Sequence, residues 1–152
     1  SPRQYLRKIK TGVARFEDVY RSVLEYRKAY PDKAVIYYAQ KFPELAWASL
    51  MAGGSCPDIP VTNSAFLKDV ATMSPCCSEK NIYQMKNIAG DRLVYIDGSH
   101  LAKISLEGGT YRLYQVNIKT GVVLRRSRIH LSVSNPVLCL KESGVFWLRK
   151  IQ

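Results

Sequence analysis

The chain has 152 residues, 47% of them hydrophobic, and a formal net charge of +11. This is enough for one domain or two small ones with an apolar core, and it argues against disorder. No apolar run approaches the ~18 residues that a membrane helix needs, so no membrane partner is expected.

Ser1-Pro2 provides an N-cap and a proline at the first helical position, predicting a helix that turns Tyr5, Leu6 and Ile9 inward and stops at Gly12. Phe16, Val19, Tyr20, Val23 and Leu24 then follow the spacing of one buried helical stripe, with Arg21, Glu25 and Lys28 on the other side and Pro31 as the stop. Lys33 to Tyr38 reads as a strand, because Val35 to Tyr38 are four consecutive large apolar residues, as in a strand buried on both faces. After Pro43, the run ELAWASLMAGG is apolar all round, which predicts a helix buried between layers and ended by Gly53-Gly54-Ser55. Helix, buried strand and buried helix together are the grammar of a β/α unit.

Pro57 and Pro60 mark an irregular connection before a short helix over Ala65 to Met73, capped by Asn63 or Ser64. Polar and turn residues cluster from Ser74 to Lys80, which places a boundary there. From Gly90 to Gly121 the pattern becomes strand, turn, strand, turn, strand, turn. Leu93 to Ile96 end at Asp97-Gly98; Ala102, Ile104 and Leu106 alternate with polar residues up to Gly108-Gly109; Tyr111 to Ile118 close at Lys119-Thr120-Gly121. This is the pattern of a meander. Further strands are expected over Ile82 to Ile88, around Ile129, Leu131 and Val133, over Val137 to Leu140 and over Val145 to Ile151. The expected class is α+β, with an N-terminal α/β segment over residues 1–75 and an antiparallel β-sandwich over residues 76–152.

Chemistry-bearing motifs are sparse. Cys56, Cys76, Cys77 and Cys139 lack C-x-x-C spacing, and His100 and His130 are remote from them in sequence, so no metal site or other cofactor is expected. Two free thiols at Cys76-Cys77 are favoured over a vicinal redox pair, and the spacing leaves the disulfide state open. Ser55 lacks the G-x-S-x-G elbow, and phosphate- and dinucleotide-binding fingerprints are absent from the sequence. The one tight basic cluster is Arg125-Arg126-Ser127-Arg128. On a regularly alternating strand, Arg126, Arg128 and His130 share one face and Arg125 points the other way. Two aligned charges are too few for a tight polyanion site unless basic residues from other strands join them.

Certain stretches resemble a known family. RLVYIDG, HLAKISL, GGTYRLYQVNIKTG and VFWLRKI, in that order, are similar to the C-terminal β-sandwich of apiosidase-like (family 140) glycoside hydrolases and their bacterial relatives, a domain labelled collagen-binding. Gln115, Val116 and Ile118 stand where that family usually carries aromatic residues and a proline. KAVIYY resembles the seventh strand of the family's catalytic barrel, and PELAWASLMAGGS the helix after it. The resemblance implies that residues 1–75 look like the last β/α units of a TIM barrel, that an upstream barrel belongs to the same protein, and that the protein is periplasmic or extracellular.

The resemblance also implies that a catalytic glutamate would follow the seventh strand. Tyr37 to Gln40 contain no acid; Glu44 lies at a helix start, where a helix-dipole role is expected, and Asp58 lies in a proline-flanked turn. Retaining glycosidases need two carboxyl groups about 5 Å apart, so no catalytic residue is assigned and the chain alone is expected to be inactive. The reading favoured is a non-catalytic C-terminal part of a glycoside-hydrolase-like protein, its sandwich bracing a barrel and contacting polysaccharide through Tyr95, Tyr111, Tyr114 or Trp147. The alternative is a stand-alone basic module in which Arg125, Arg126 and Arg128 bind nucleic acid or another polyanion. Nucleic acid is the less expected partner, because no recognised nucleic-acid motif is present.

Overall fold

A computed structural model describes residues 15–39, 42–55, 57–98 and 101–151. The helix expected over the first twelve residues, His100 and Cys56 lie outside them. The class is α+β, and among the described residues three helices come first and eight strands after them.

Helix α1, Phe16–Ala29, buries the predicted stripe of Phe16, Val19, Tyr20 and Val23. Its first turn carries Glu17 and Asp18 and its last turn Arg27 and Lys28, each sign at the end where the helix dipole favours it. Helix α2, Pro43–Met51, starts on its proline and is buried all round from Leu45 to Met51. Trp47 Nε1 donates to the Ile118 carbonyl at 3.0 Å, so the buried indole loses no hydrogen bond. Helix α3, Ser64–Val70, is capped by Asn63, whose Oδ1 accepts from the Phe66 amide at 3.0 Å.

The strand expected over Lys33 to Tyr38 is not formed among the described residues, where residues 34–39 have no ladder partner. The segment still alternates. Val35 and Tyr37 are half-buried and Ala39 is buried, whereas Ile36 is 50% and Tyr38 80% exposed. It is tied down where the Ser55 amide donates to the Val35 carbonyl at 2.7 Å and the Val35 amide donates to Ser55 Oγ at 3.2 Å, and at its end, where the Phe42 amide donates to the Ala39 carbonyl at 3.0 Å. Four large apolar residues specify an extended chain buried on two faces, and the described residues supply only one of them.

Eight strands follow: β1 (Ser74–Glu79), β2 (Ile82–Lys86), β3 (Arg92–Ile96), β4 (Ala102–Ser105), β5 (Gly109–Val116), β6 (Val123–Leu131), β7 (Val137–Leu140) and β8 (Gly144–Ile151). Six form an antiparallel sheet in the order β1-β2-β3-β8-β5-β6, and β4 and β7 pair separately. The expected boundary at Ser74 to Lys80 is therefore an edge strand. Pro75 is tolerated there because an edge strand has a side that donates no ladder bond. The expected meander is also corrected, since β4 leaves β3 and β5 and crosses to the small sheet. Gly108-Gly109 turns the chain between sheets rather than closing a hairpin.

The large sheet is covered on both faces. Under β4 and β7, Ala102, Ile104, Leu106 and Leu140 pack on Val94, Ile96, Leu113, Phe146 and Leu148. On the other face, the helices share one apolar cluster with Tyr83, Met85, Leu93, Tyr95, Val116, Val145 and Trp147. Phe16 stacks on Tyr95 with ring centroids 4.2 Å apart, and Phe66 meets Trp147 edge-on at 5.2 Å.

Candidate functional site

The aromatic residues expected to meet sugar are placed first. Tyr95, Tyr111 and Trp147 are buried at 4%, 1% and 2% exposure, and Tyr114 is half-buried. Tyr95 lies under α1; Tyr111 lies in the core beneath the small sheet, where its hydroxyl donates to the Glu107 carbonyl at 2.8 Å; Trp147 lies under α3. Tyr114 packs on Trp147 at 4.8 Å. Their strand positions turn these rings toward the two cores, so the expectation that Tyr95, Tyr111 and Trp147 present open sugar-stacking faces is corrected.

The basic cluster is rearranged in a way that creates a site. Between Leu113 and Tyr114 the β5–β6 register slips: Leu113 faces Ser127, and Tyr114 faces Arg125. Arg126 is thus an extra residue, a bulge in an edge strand. The bulge overturns the alternation expected from sequence. Arg125 and Arg128 oppose Tyr114 and Arg112, two residues on one face of β5, and so share that face. Arg126 instead pairs with Glu142 at 3.7 Å, and Gln115, from the opposite face, donates to the same carboxylate at 3.5 Å.

Arg112 has a second partner, Arg149 of β8. Arg128, Arg112 and Arg149 therefore form a row across three adjacent strands, with Arg125 beside it. His130 flanks the row opposite Thr110, whose hydroxyl lies 3.0 Å from its Nδ1. Sequence reasoning missed Arg112 and Arg149, because their neighbours come from distant parts of the chain. The only local signal was that each is a basic residue on a predicted strand.

The row runs into a shallow cavity of about 380 Å³ lined by Arg149, Lys68, Asp69, Thr72, Ser64 and Ala65. A polar clamp forms its wall and holds α3 to the sheet. Trp147 Nε1 donates to Asp69 Oδ2 at 2.7 Å, and Asn87 Nδ2 donates to Asp69 Oδ1 and to Thr72 Oγ1, each at 3.0 Å. Asn87 Oδ1 accepts from the Asp91 amide at 2.9 Å, and Asp91 Oδ1 accepts from the Lys150 amide at 2.7 Å. Arg149 lies over the Trp147 ring at 5.0 Å.

Burial, followed by a hydrogen bond shared with Asp91, pushes the Asp69 carboxyl up to about 6; Trp147 and Arg149 oppose the shift. The folded chain therefore holds a proton here that the unfolded chain releases nearer the ordinary 3.8. The resulting stabilisation is fully present below that ordinary value and is lost as pH rises through about 6. Asp69→Asn keeps an acceptor for Trp147 but cannot titrate. In thermal melts, wild type minus Asp69→Asn should fall from about pH 4 to pH 7; a difference that rises over that window would refute the assignment.

A second cleft, of about 630 Å³, lies between α1 and the β1–β2 turn. Three carboxylate residues line it, Glu17, Glu79 and Asp97, and the Tyr83 hydroxyl donates to Glu17. Burial and these charges push the Tyr83 phenol up. Glu17 also holds Arg21 at 3.0 Å, so it is engaged on both sides. Glu44 and Asp58 are exposed, as a helix-start acid and a loop acid should be. Cys76, Cys77 and Cys139 are unbonded thiols. Burial, and then a hydrogen bond to the Cys77 thiol, push Cys76 up to about 11, which keeps it protonated at neutral pH. Among the described residues no group of three or more metal-ligating side chains occurs.

Comparison with known proteins gives the following picture. A family model described as a domain of unknown function (DUF6298) matches residues 1–73. A solved structure described as a glycoside hydrolase superposes with a TM-score of 0.56 at 12% identity, covering 88% of this chain and 46% of that one. What is shared is the fold. A family 5 glycoside hydrolase from Bacteroides vulgatus ATCC 8482 superposes with a TM-score of 0.49 at 12% identity over 71% of this chain and 35% of that one. The chain thus spans less than half the length of either structure. No curated protein matches it in sequence.

Proposed function

We propose that this chain is a non-catalytic C-terminal part of a glycoside-hydrolase-like protein of the apiosidase-like kind, in which residues 76–152 brace a β/α barrel and contact polysaccharide. Residues 1–75 contribute the last β/α units of that barrel. The observation that carries the reading is the segment 34–39. It alternates inward and outward like a strand, has no ladder partner among the described residues, and exposes Ile36 and Tyr38. An exposed, unpaired, apolar strand is an aggregation hazard that proteins cover. Neighbouring barrel strands would pair its backbone and bury its outer side chains. The likeness in fold to part of a glycoside hydrolase chain supports the same reading.

The test is amide hydrogen exchange at Val35 to Ala39, in this chain and in a longer one carrying the residues encoded upstream. Exchange should be fast here, apart from the Val35 amide, and at least a hundredfold slower in the longer chain. Ile36→Lys/Tyr38→Lys should leave the melting temperature of this chain nearly unchanged and destabilise the longer one severely, since it would bury unpaired charges. Equal exchange in the two chains would reject the barrel-strand reading.

A further inference from the structure

We propose that the face bearing Arg125, Arg128, Arg112 and Arg149 binds an acidic polysaccharide, a sugar chain carrying carboxylate or sulfate groups. The proposal names the ligand class of the polysaccharide contact suggested above, and it rests on that reading only in choosing a sugar chain.

The first argument is charge. Arg128 lies directly opposite Arg112, and Arg112 directly opposite Arg149. Like charges in that position destabilise a sheet, so the row opposes folding unless a ligand neutralises it. Among the described residues, no carboxylate lies within 4.0 Å of Arg112, Arg125 or Arg128, whereas Arg21, Arg126 and Lys150 each have one. Arg15, Arg27 and Arg92 also lack such a partner but lie apart from one another, whereas Arg112, Arg125 and Arg128 share a face.

The second argument is geometry. Strands in a sheet lie about 4.8 Å apart, so the row places three guanidinium groups over roughly 10 Å, in register across the strands. Guanidinium binds carboxylate and sulfate oxygens through paired hydrogen bonds, which suits an extended chain with an anionic group at intervals. Arg112, Arg125 and Arg128 are exposed, Arg149 is half-buried, and the row continues into the cavity at Lys68.

The third argument separates sugar from nucleic acid. Single-stranded nucleic acid is held by basic grooves combined with aromatic rings on which bases stack. The rings on this face are occupied. Trp147 is 2% exposed, with Arg149 over it and Phe66 against it, and Tyr114 packs on Trp147.

The test uses the 152-residue chain at an ionic strength of about 0.15 M, where distant surface charges are screened. The probes are polygalacturonate, dextran sulfate, neutral dextran and labelled single-stranded DNA; the two acidic polymers distinguish carboxylate from sulfate. Wild type should bind at least one acidic polymer and not dextran. Arg112→Ala/Arg128→Ala should weaken that binding at least tenfold, while Arg126→Ala, whose partner is Glu142, should change it less than twofold. Without ligand the double variant should melt no lower than wild type, because it relieves the repulsion. If it does not fold, Arg128→Gln on the edge strand serves instead, with a threefold or greater loss expected. Failure to bind either acidic polymer, equal binding of dextran, or an unchanged affinity in the arginine variants would overturn the proposal. DNA bound more tightly than both polymers, and lost in the double variant, would overturn it in favour of nucleic acid. A negative result here leaves the exchange pattern of Val35 to Ala39 untouched, so the two readings fail separately.

Discussion

Gly121→Ala should destabilise the fold by about 3 kcal/mol or more. Gly121 ends the β5–β6 turn at φ +73°, a region that residues with a Cβ enter only at a cost. The turn is fixed by Asn117, whose Oδ1 accepts from the Lys119 and Thr120 amides at 2.9 Å and whose carbonyl accepts from the Gly121 amide at 2.8 Å. A Cβ at this position would lie 2.4 Å from the Pro60 carbonyl oxygen and 2.5 Å from its carbon. Both obstacles are backbone, so no rotamer change relieves them. The turn also stands where the strands meet the helical segment, one step from the Ile118 carbonyl that accepts from Trp47. Urea unfolding with Lys119→Ala as an exposed control measures the effect; a loss under about 1 kcal/mol would show that the Pro60 loop gives way freely.

Phe66→Ala should cost about 3–5 kcal/mol. Phe66 has no exposed surface, and its ring lies edge-on to Trp47 at 6.1 Å and to Trp147 at 5.2 Å. Its ring bridges the two tryptophans. Removing it leaves a cavity between two large rings, each held by an indole hydrogen bond, to Ile118 and to Asp69. Those bonds restrain the rings from collapsing into the space, which puts the cost toward the upper end of the range. Phe66→Leu, which refills most of the volume, should recover more than half of the loss. Equal losses for the two variants would mean that ring packing, rather than volume, is what α3 supplies.

Local patterns were legible wherever the structure is local. The stripe Phe16, Val19, Tyr20, Val23 specifies α1, the all-apolar ELAWASLM specifies α2, and Asn63 caps α3 as its side chain allows. Most strands after Glu79 follow from apolar or alternating runs bounded by turn residues, whereas β1 read as a boundary. Partner choice was not legible. Ala102, Ile104 and Leu106 show one buried face, and that pattern serves a ladder neighbour or a second layer equally well. Lys33 to Tyr38 carried the composition of a strand but found no ladder among the described residues, because a strand is defined by what lies beside it. The arginine face was hidden for the same reason and by a further one: a single bulge at Arg126 inverts the facing of every residue before it.

The order of the large sheet has a temporal consequence. β8 bonds to β3 on one side and β5 on the other, yet it follows both in sequence. A ribosome emits residues one after another, roughly 5–20 each second. Until β8 emerges, β1-β2-β3 and β5-β6 are two separate sheets, each with an unpaired apolar edge. The core under the helices cannot close in that interval, since Val145 and Trp147 belong to it. The large sheet therefore cannot close until β8 has been made, and a pause before the codons of β8 would prolong the period in which a holding chaperone, or another nascent copy, can capture those edges.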